Sequence, residues 1–170
     1  MRIGIDYTSA ARQRAGIGRY TRELIGALLA LDSRHHYTLF AATGGLPQSR
    51  WADEIGRLRA IRDRQLAIHS LPLTDNWLAR LWHRLRLPIP IELVTGQLDV
   101  LYSPDFTLPP TRRRSHTLLT IHDLSFVRHP EAFVPSLRRY LKDVVPRSIA
   151  RADRVLADSA HTRSDLIELF

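Results

Sequence analysis

The sequence predicts an α/β fold in three layers, a mostly parallel sheet flanked by helices. Two observations carry that expectation. Short apolar runs recur along the chain, and most of them are followed by segments whose apolar residues return at helical spacing. No internal repeat or low-complexity linker interrupts the alternation, so residues 1–170 are read as one domain.

The first run, Arg2 to Asp6, is a strand. From Gly18 onward Tyr20, Leu24, Ala27, Leu28 and Leu31 recur at three- and four-residue steps, which predicts a helix with one apolar face ending near Asp32 and Ser33. A strand from Tyr37 to Ala41, a weaker helix between Ser49 and Asp63 and a strand from Leu66 to Leu71 follow. Asn76 is placed to cap a helix in which Trp77, Leu78, Leu81, Trp82 and Leu85 share a stripe before Pro88 stops it. Beyond the strand Val100 to Ser103, the run Leu108 to Arg114 is a proline-stiffened basic loop. Thr117 to His122 is the fifth strand. Pro135 to Ala150 is helical, with Pro146 expected to break or kink it near the preceding turn. A strand from Val155 to Asp158 leads into a last helix, His161 to Phe170, opened by Ser159 as cap. An open-edged sheet closed by that helix predicts half of a two-domain molecule, with ligands bound between the halves at the carboxyl ends of strands.

Composition narrows the function classes. Lys and Arg number 25 against 17 Asp and Glu, a formal charge of +8 that suits anionic ligands without choosing among phosphates, acidic lipids and nucleic acid. Nucleic acid is set aside because no recognition-helix or aromatic-basic signature accompanies the arginines. Cysteine is absent, which removes disulfides and thiolate chemistry, and the scattered histidines show no metal-ligand spacing. With no apolar run of signal-peptide or membrane-spanning length, a soluble cytoplasmic protein is expected.

Four stretches carry residues suited to chemistry. Gly16-Ile17-Gly18-Arg19-Tyr20 sits after the first strand at the mouth of the first helix, where backbone amides and the helix terminus favour a diphosphate or a sugar hydroxyl. Tight packing at a helix start explains the same glycines. A dinucleotide site does not fit, since the third glycine is missing, the loop is long and strand two ends without an acidic residue. His122 leaves the carboxyl edge of a strand and points toward the expected crevice, while Asp123 either orients its ring or caps the following turn. At the last strand end Ser159 and Thr162 are accounted for as capping residues, and Arg163 is left unexplained by capping. The segment Trp77 to Arg86 is either a core-packed helix with a solvated basic face or one that lies on an anionic membrane.

In order as well as content these pieces resemble the amino-terminal domain of glycosyltransferase family 4 enzymes, which have the GT-B fold of two facing Rossmann-like domains. The resemblance runs through Arg2 to Asp6, Gly16 to Tyr20, Asp99 to Pro104, Ile121 to Phe126 with His129-Pro130, and Ala157-Asp158-Ser159 with Thr162-Arg163. The details look most like bacterial mannosyltransferase-like members. The resemblance implies retaining transfer of a sugar from a nucleotide diphosphate sugar to an acceptor hydroxyl in glycan or glycolipid synthesis, with no required metal or other cofactor. It implies a catalytic contact from His122 to the transferred sugar, donor phosphate and sugar contacts from Gly16, Gly18 and Arg19, and a cleft lined by Asp6, Tyr20, Asp123, Ser159 and Arg163. It further implies a carboxy-terminal nucleotide-binding domain as partner, absent from these residues, so that the chain alone is expected to be inactive. A freestanding, non-catalytic binding domain built on the same sheet is the alternative.

Overall fold

A computed structural model describes residues 1–14, 16–31 and 34–170. Six strands, β1 (Arg2–Asp6), β2 (His36–Ala42), β3 (Leu66–Leu71), β4 (Val100–Ser103), β5 (His116–Ile121) and β6 (Arg154–Ala157), form one sheet. Their order is β3-β2-β1-β4-β5-β6, and every neighbouring pair is parallel. All six expected strands are present, each end within one residue of its expected place. The helices are α1 (Thr8–Arg12), α2 (Ile17–Leu31), α3 (Gln48–Ile61), α4 (Asp75–Ala79), α5 (Glu92–Thr95), α6 (Ser125–Arg128), α7 (Pro135–Arg151) and α8 (Ala160–Leu169).

Both faces of the inner strands are buried, which is why these read as apolar runs rather than as alternating patterns, while the edge strands β3 and β6 are partly exposed. Along β2, Tyr37, Leu39 and Ala41 join Ile25 and Leu29 of α2 and Leu58 of α3 in one core. Their neighbours Phe40 and Ala42 turn to the opposite face, where Leu101, Leu119 and Ile121 meet Val144 and Val145 of α7. This two-residue alternation between two cores makes the three layers.

Four local expectations are corrected. Thr74, not Asn76, caps α4, its hydroxyl accepting from the Trp77 amide at 3.2 Å. The following turn, Arg80–Arg84, is a π-helix, so the expected stripe is broken: Leu78 is buried while Trp77 and Leu85 stand in solvent. Helix α7 continues through Pro146 to Arg151, anchored on both sides of the proline by buried Val144, Val145 and Ser148. The short helices α1, α5 and α6 were not expected from periodicity, which four or five residues cannot display. The helix end expected near Asp32 and Ser33, like Ala15 just before the glycine stretch, lies outside the described residues.

The strand order places the site. The chain winds outward from β1 to β3 and then returns to β4 on the other side of β1. Loops leaving the carboxyl ends of β1 and β4 therefore part in opposite directions, and a crevice opens between them.

Candidate functional site

Asp6 ends β1 and Asp105 follows β4, so the two carboxylates line the same crevice, a cavity of about 450 Å³. Asp6 accepts a hydrogen bond from the Thr8 amide at 2.9 Å and opens α1. Burial, offset in part by the Thr8 contacts and reinforced by the charge of Asp105, pushes its carboxyl up to about 6. Asp105 accepts from the Phe106 amide at 2.7 Å; burial raises its pKa as well, against the opposing pull of His122. Two further groups in the cavity titrate abnormally. Burial, with the charges of Arg151 and Arg147 behind it, lowers His83 to about 4, and burial raises the Tyr140 phenol to about 12. The rings of His83 and Tyr140 meet edge to face at 6.4 Å. Near neutral pH the cavity thus offers a neutral imidazole and a neutral phenol beside two carboxyl groups, set among the apolar faces of Trp82, Phe106 and Leu141. Such a surface can accept hydrogen bonds from hydroxyls and cover the apolar side of a small polar ligand.

His122 stands at the neighbouring strand ends. The register pairs Ile121 with Ala157, so the next residues of β5 and β6 come out side by side. His122 Nδ1 lies 3.1 Å from Asp158 Oδ2, and Nε2 lies 2.9 Å from the Pro104 carbonyl oxygen. Both ring nitrogens are therefore engaged, one by a carboxylate and one by a backbone carbonyl. Tyr20 of α2 meets the imidazole edge to face at 4.8 Å, and Phe106 does so at 5.8 Å. A chain of hydroxyls continues inward from Tyr20 to Tyr102 at 3.4 Å and to Thr120 at 2.9 Å. The glycine stretch, β4, β5 and β6 thus converge on one histidine.

The expected site residues divide accordingly. Asp6 lines the cavity, while Tyr20 and His122 meet each other at the neighbouring strand ends, joined to the cavity through Phe106. Asp123 does not orient the His122 ring; it is exposed and closes the turn that enters α6, accepting from the Ser125 amide at 2.8 Å, and Asp158 takes the ring instead. Gly18 is sealed rather than open. A Cβ there would lie 2.4 Å from the Gln13 carbonyl oxygen and 2.7 Å from that of Ser9, so its missing side chain serves the packing of α1 against α2. Gly16 has φ +58° with nothing near the Cβ position, a left-handed turn at an exposed spot. Arg19 is exposed in the first turn of α2. Ser159 caps α8 by accepting from the Thr162 amide at 3.0 Å. With Arg163 it lines a separate groove of about 570 Å³ between β6 and α8 rather than the cavity that holds Asp6.

Asp105, Asp158, His83 and Tyr140 were not singled out from the sequence. Asp105 had a usable signal, since it directly follows the Tyr102-Ser103-Pro104 strand exit. The other three depend on register or on helix packing, which one sequence does not display.

Residues 14–170 match the model of Glycosyltransferase Family 4, a span that holds Tyr20, His122 and Asp158 and begins after Asp6. The chain is 30% identical over 165 residues to O-antigen chain mannosyltransferase B of Escherichia coli, an alignment covering 91% of this chain and 40% of that protein. It therefore spans about two fifths of the length of this curated relative. No solved structure matches the chain significantly.

Proposed function

The chain belongs to glycosyltransferase family 4, and from that premise we propose that it forms the acceptor-side half of a retaining enzyme that transfers a sugar from a nucleotide diphosphate sugar to an acceptor hydroxyl in glycan or glycolipid synthesis. Mannose is the sugar favoured by the likeness to a mannosyltransferase. The reading needs no resident metal or cofactor: an oxocarbenium-like transition state calls for close positioning and a stabilised diphosphate more than for a protein nucleophile.

In this reading His122 meets the transferred sugar at the crevice rim. Asp158 and the Pro104 carbonyl engage both of its ring nitrogens, so the histidine contributes position rather than a free ring nitrogen. Gly16 and Arg19, exposed at the mouth of α2, take the donor phosphates. Asp6 and Asp105 hold acceptor hydroxyls in the cavity behind. The opposite wall belongs to a carboxy-terminal domain outside these residues, and the enzyme works in the cytoplasm against the inner face of a membrane. No helix among the described residues is long and apolar enough to cross one.

The observation that carries the proposal is the 4.8 Å contact of Tyr20 with His122, which joins the glycine stretch to the β5 strand end at the switch point. Titration of the isotope-labelled chain with nucleotide diphosphate sugars tests it. The expected result is weak, saturable shifts at Gly16, Tyr20 and His122 with no turnover, and transfer once the carboxy-terminal half is joined. Turnover by the 170 residues alone, or donor-induced shifts confined to the β6–α8 groove, would overturn it.

A further inference from the structure

The cavity that holds Asp6 and Asp105 is also lined from α4, from the turn after it and from α7. Helix α4 runs on into the π-helical turn Arg80–Arg84, where the Leu85 amide donates to the Arg80 carbonyl oxygen, five residues back, at 2.8 Å. Such a turn is wider than an α-helical one, and its consecutive residues Trp82 and His83 both line the cavity. Arg147 of α7 holds the turn in place, donating to the His83 carbonyl oxygen at 3.2 Å. The same helix brings Tyr140 to the cavity, its ring against that of His83. His83 is 7% exposed, yet neither of its ring nitrogens has a hydrogen-bond partner among the described residues, and the Tyr140 hydroxyl has none either. A buried polar group without a partner is costly, and a ligand in the cavity supplies one.

The charge of the cavity runs against that of the chain. Lys and Arg outnumber Asp and Glu by 25 to 17 overall, but among the described residues no lysine or arginine lines this cavity, whereas Asp6, Asp75 and Asp105 do. Asp75 is paired with Arg12 at 3.1 Å, which leaves Asp6 and Asp105 without a cation. Arg80 and Arg84 of the π-helical turn line a neighbouring opening instead. Arg147 and Arg151 stand behind His83 and keep its ring neutral, but their guanidinium groups are engaged by Asp143 and by the carbonyl oxygens of His83, Leu108 and Pro109. A neutral imidazole and a neutral phenol can each donate and accept, which suits hydroxyl groups. An anionic group would enter beside Asp6 and Asp105 with nothing to offset it, and like charges placed together are strongly disfavoured. Trp82 and Phe106 add aromatic faces to cover the apolar side of a sugar ring.

We propose that Trp82, His83 and Tyr140 form a subsite for an uncharged sugar unit, and that the cavity rejects acidic sugars such as uronates and sugar phosphates. The hydroxyls of the sugar bond to His83 and Tyr140, and its apolar face lies on Trp82. That this sugar is part of the acceptor rests on the transferase reading; its binding does not.

Titration of the isotope-labelled chain at neutral pH with methyl α-mannoside, its phosphate ester and methyl α-glucuronide tests the subsite. The expected result is saturable shifts at the His83 ring, Tyr140 and the Trp82 indole with the neutral glycoside, and binding of both acidic sugars at least about ten-fold weaker. His83→Phe keeps a ring against Tyr140 but removes its hydrogen bonds, and Tyr140→Phe removes one hydroxyl, so each weakens binding of the neutral glycoside roughly three- to ten-fold. Asp105→Asn narrows the margin against the acidic sugars. Trp77→Phe, at a side chain that stands in solvent outside the cavity, leaves binding unchanged. Circular dichroism checks that each variant is folded. Acidic sugars bound as tightly as the neutral one, shifts that leave His83 unmoved, or no saturable response to the neutral glycoside would each overturn the proposal. Donor titration of the same chain separates the two readings. Donor shifts at Tyr20 and His122 without a sugar response at His83 sink the subsite alone, and a sugar response without donor shifts sinks the transferase reading alone.

Discussion

Asp158 reaches across the β5–β6 register to His122, its Oδ2 3.1 Å from Nδ1, and so fixes a ring that belongs to a different strand. The imidazole is 10% exposed and the carboxylate 34%, so the pair is part-shielded without being sealed. Asp158→Ala removes the acceptor from Nδ1 and frees the ring to rotate away from Pro104. The expected cost to folding is modest, about 1 kcal/mol for a half-exposed charged hydrogen bond. The larger effect falls on the two-domain enzyme, whose transfer rate drops roughly 10- to 100-fold through misplacement of the ring. Urea unfolding and steady-state kinetics read the two separately. A stability loss with unchanged transfer would confine Asp158 to a structural part.

The two glycines at the mouth of α2 respond differently to the same substitution. Gly18→Ala drives a methyl group into the Gln13 and Ser9 carbonyl oxygens, at 2.4 and 2.7 Å, and helix backbone cannot yield as a flexible side chain would. Overpacking of this kind costs about 1–3 kcal/mol. Gly16→Ala meets no neighbour and suffers only the strain of φ +58°, about 1 kcal/mol. Chemical denaturation of both variants should therefore rank Gly18→Ala as the more damaging. Donor titration should rank Gly16→Ala as the more damaging to phosphate contacts, because only Gly16 is open to a ligand.

That contrast shows what the sequence made legible. The inner strands were readable because burial on both faces concentrates apolar residues into unbroken runs, as with Leu39, Phe40, Ala41 and Ala42 in β2. Helix α7 defeated a local rule because packing of Val144 and Val145 outweighed the missing amide of Pro146. In the site, Tyr20 and His122 could be named from their positions at element ends. The pairing of His122 with Asp158 could not, since it exists only once β5 and β6 are aligned. The neighbour in sequence, Asp123, was the plausible partner and instead holds the turn before α6.

Ser159 and Thr162 form one capping unit that also reaches β5. The Ser159 hydroxyl accepts from the Thr162 amide at 3.0 Å, and Thr162 Oγ1 lies 2.8 Å from the His122 carbonyl oxygen, to which it donates. Ser159→Ala should destabilise by about 1 kcal/mol, the ordinary worth of a helix cap. Thr162→Val, at a buried position, should cost about 1–2 kcal/mol because a polar partner is lost without a change of shape. The double variant should fall short of the sum, as members of one hydrogen-bond network do. Thermal unfolding of the set checks this, and donor shifts should survive Ser159→Ala, which separates a cap from a cleft residue.

Asp6 and His83 line one cavity and bias stability in opposite directions over nearly the same pH range. The folded pKa of Asp6 is raised from 3.8 to about 6, so between those values the native state holds more protons than the unfolded chain. Its contribution is therefore greatest below about 4 and is lost as pH rises toward 6. His83 is lowered from 6.5 to about 4, so there the unfolded chain holds more protons. Its contribution is complete above 6.5 and is lost as pH falls toward 4. Shifts of this size each correspond to about 3 kcal/mol and oppose one another in the intact protein. Asp6→Asn keeps an acceptor for the Thr8 amide but removes its titration, leaving the His83 slope opposed only by Asp105, so stability should climb with pH between 4 and 6.5 more steeply than in the intact protein. His83→Phe keeps an aromatic ring against Tyr140 and leaves the Asp6 slope, to which Asp105 adds in the same direction, so stability should decline with pH over that window. Urea midpoints at pH 4, 5, 6 and 7 for the three proteins decide the matter. Parallel curves would mean that the two groups do not titrate within the folded cavity.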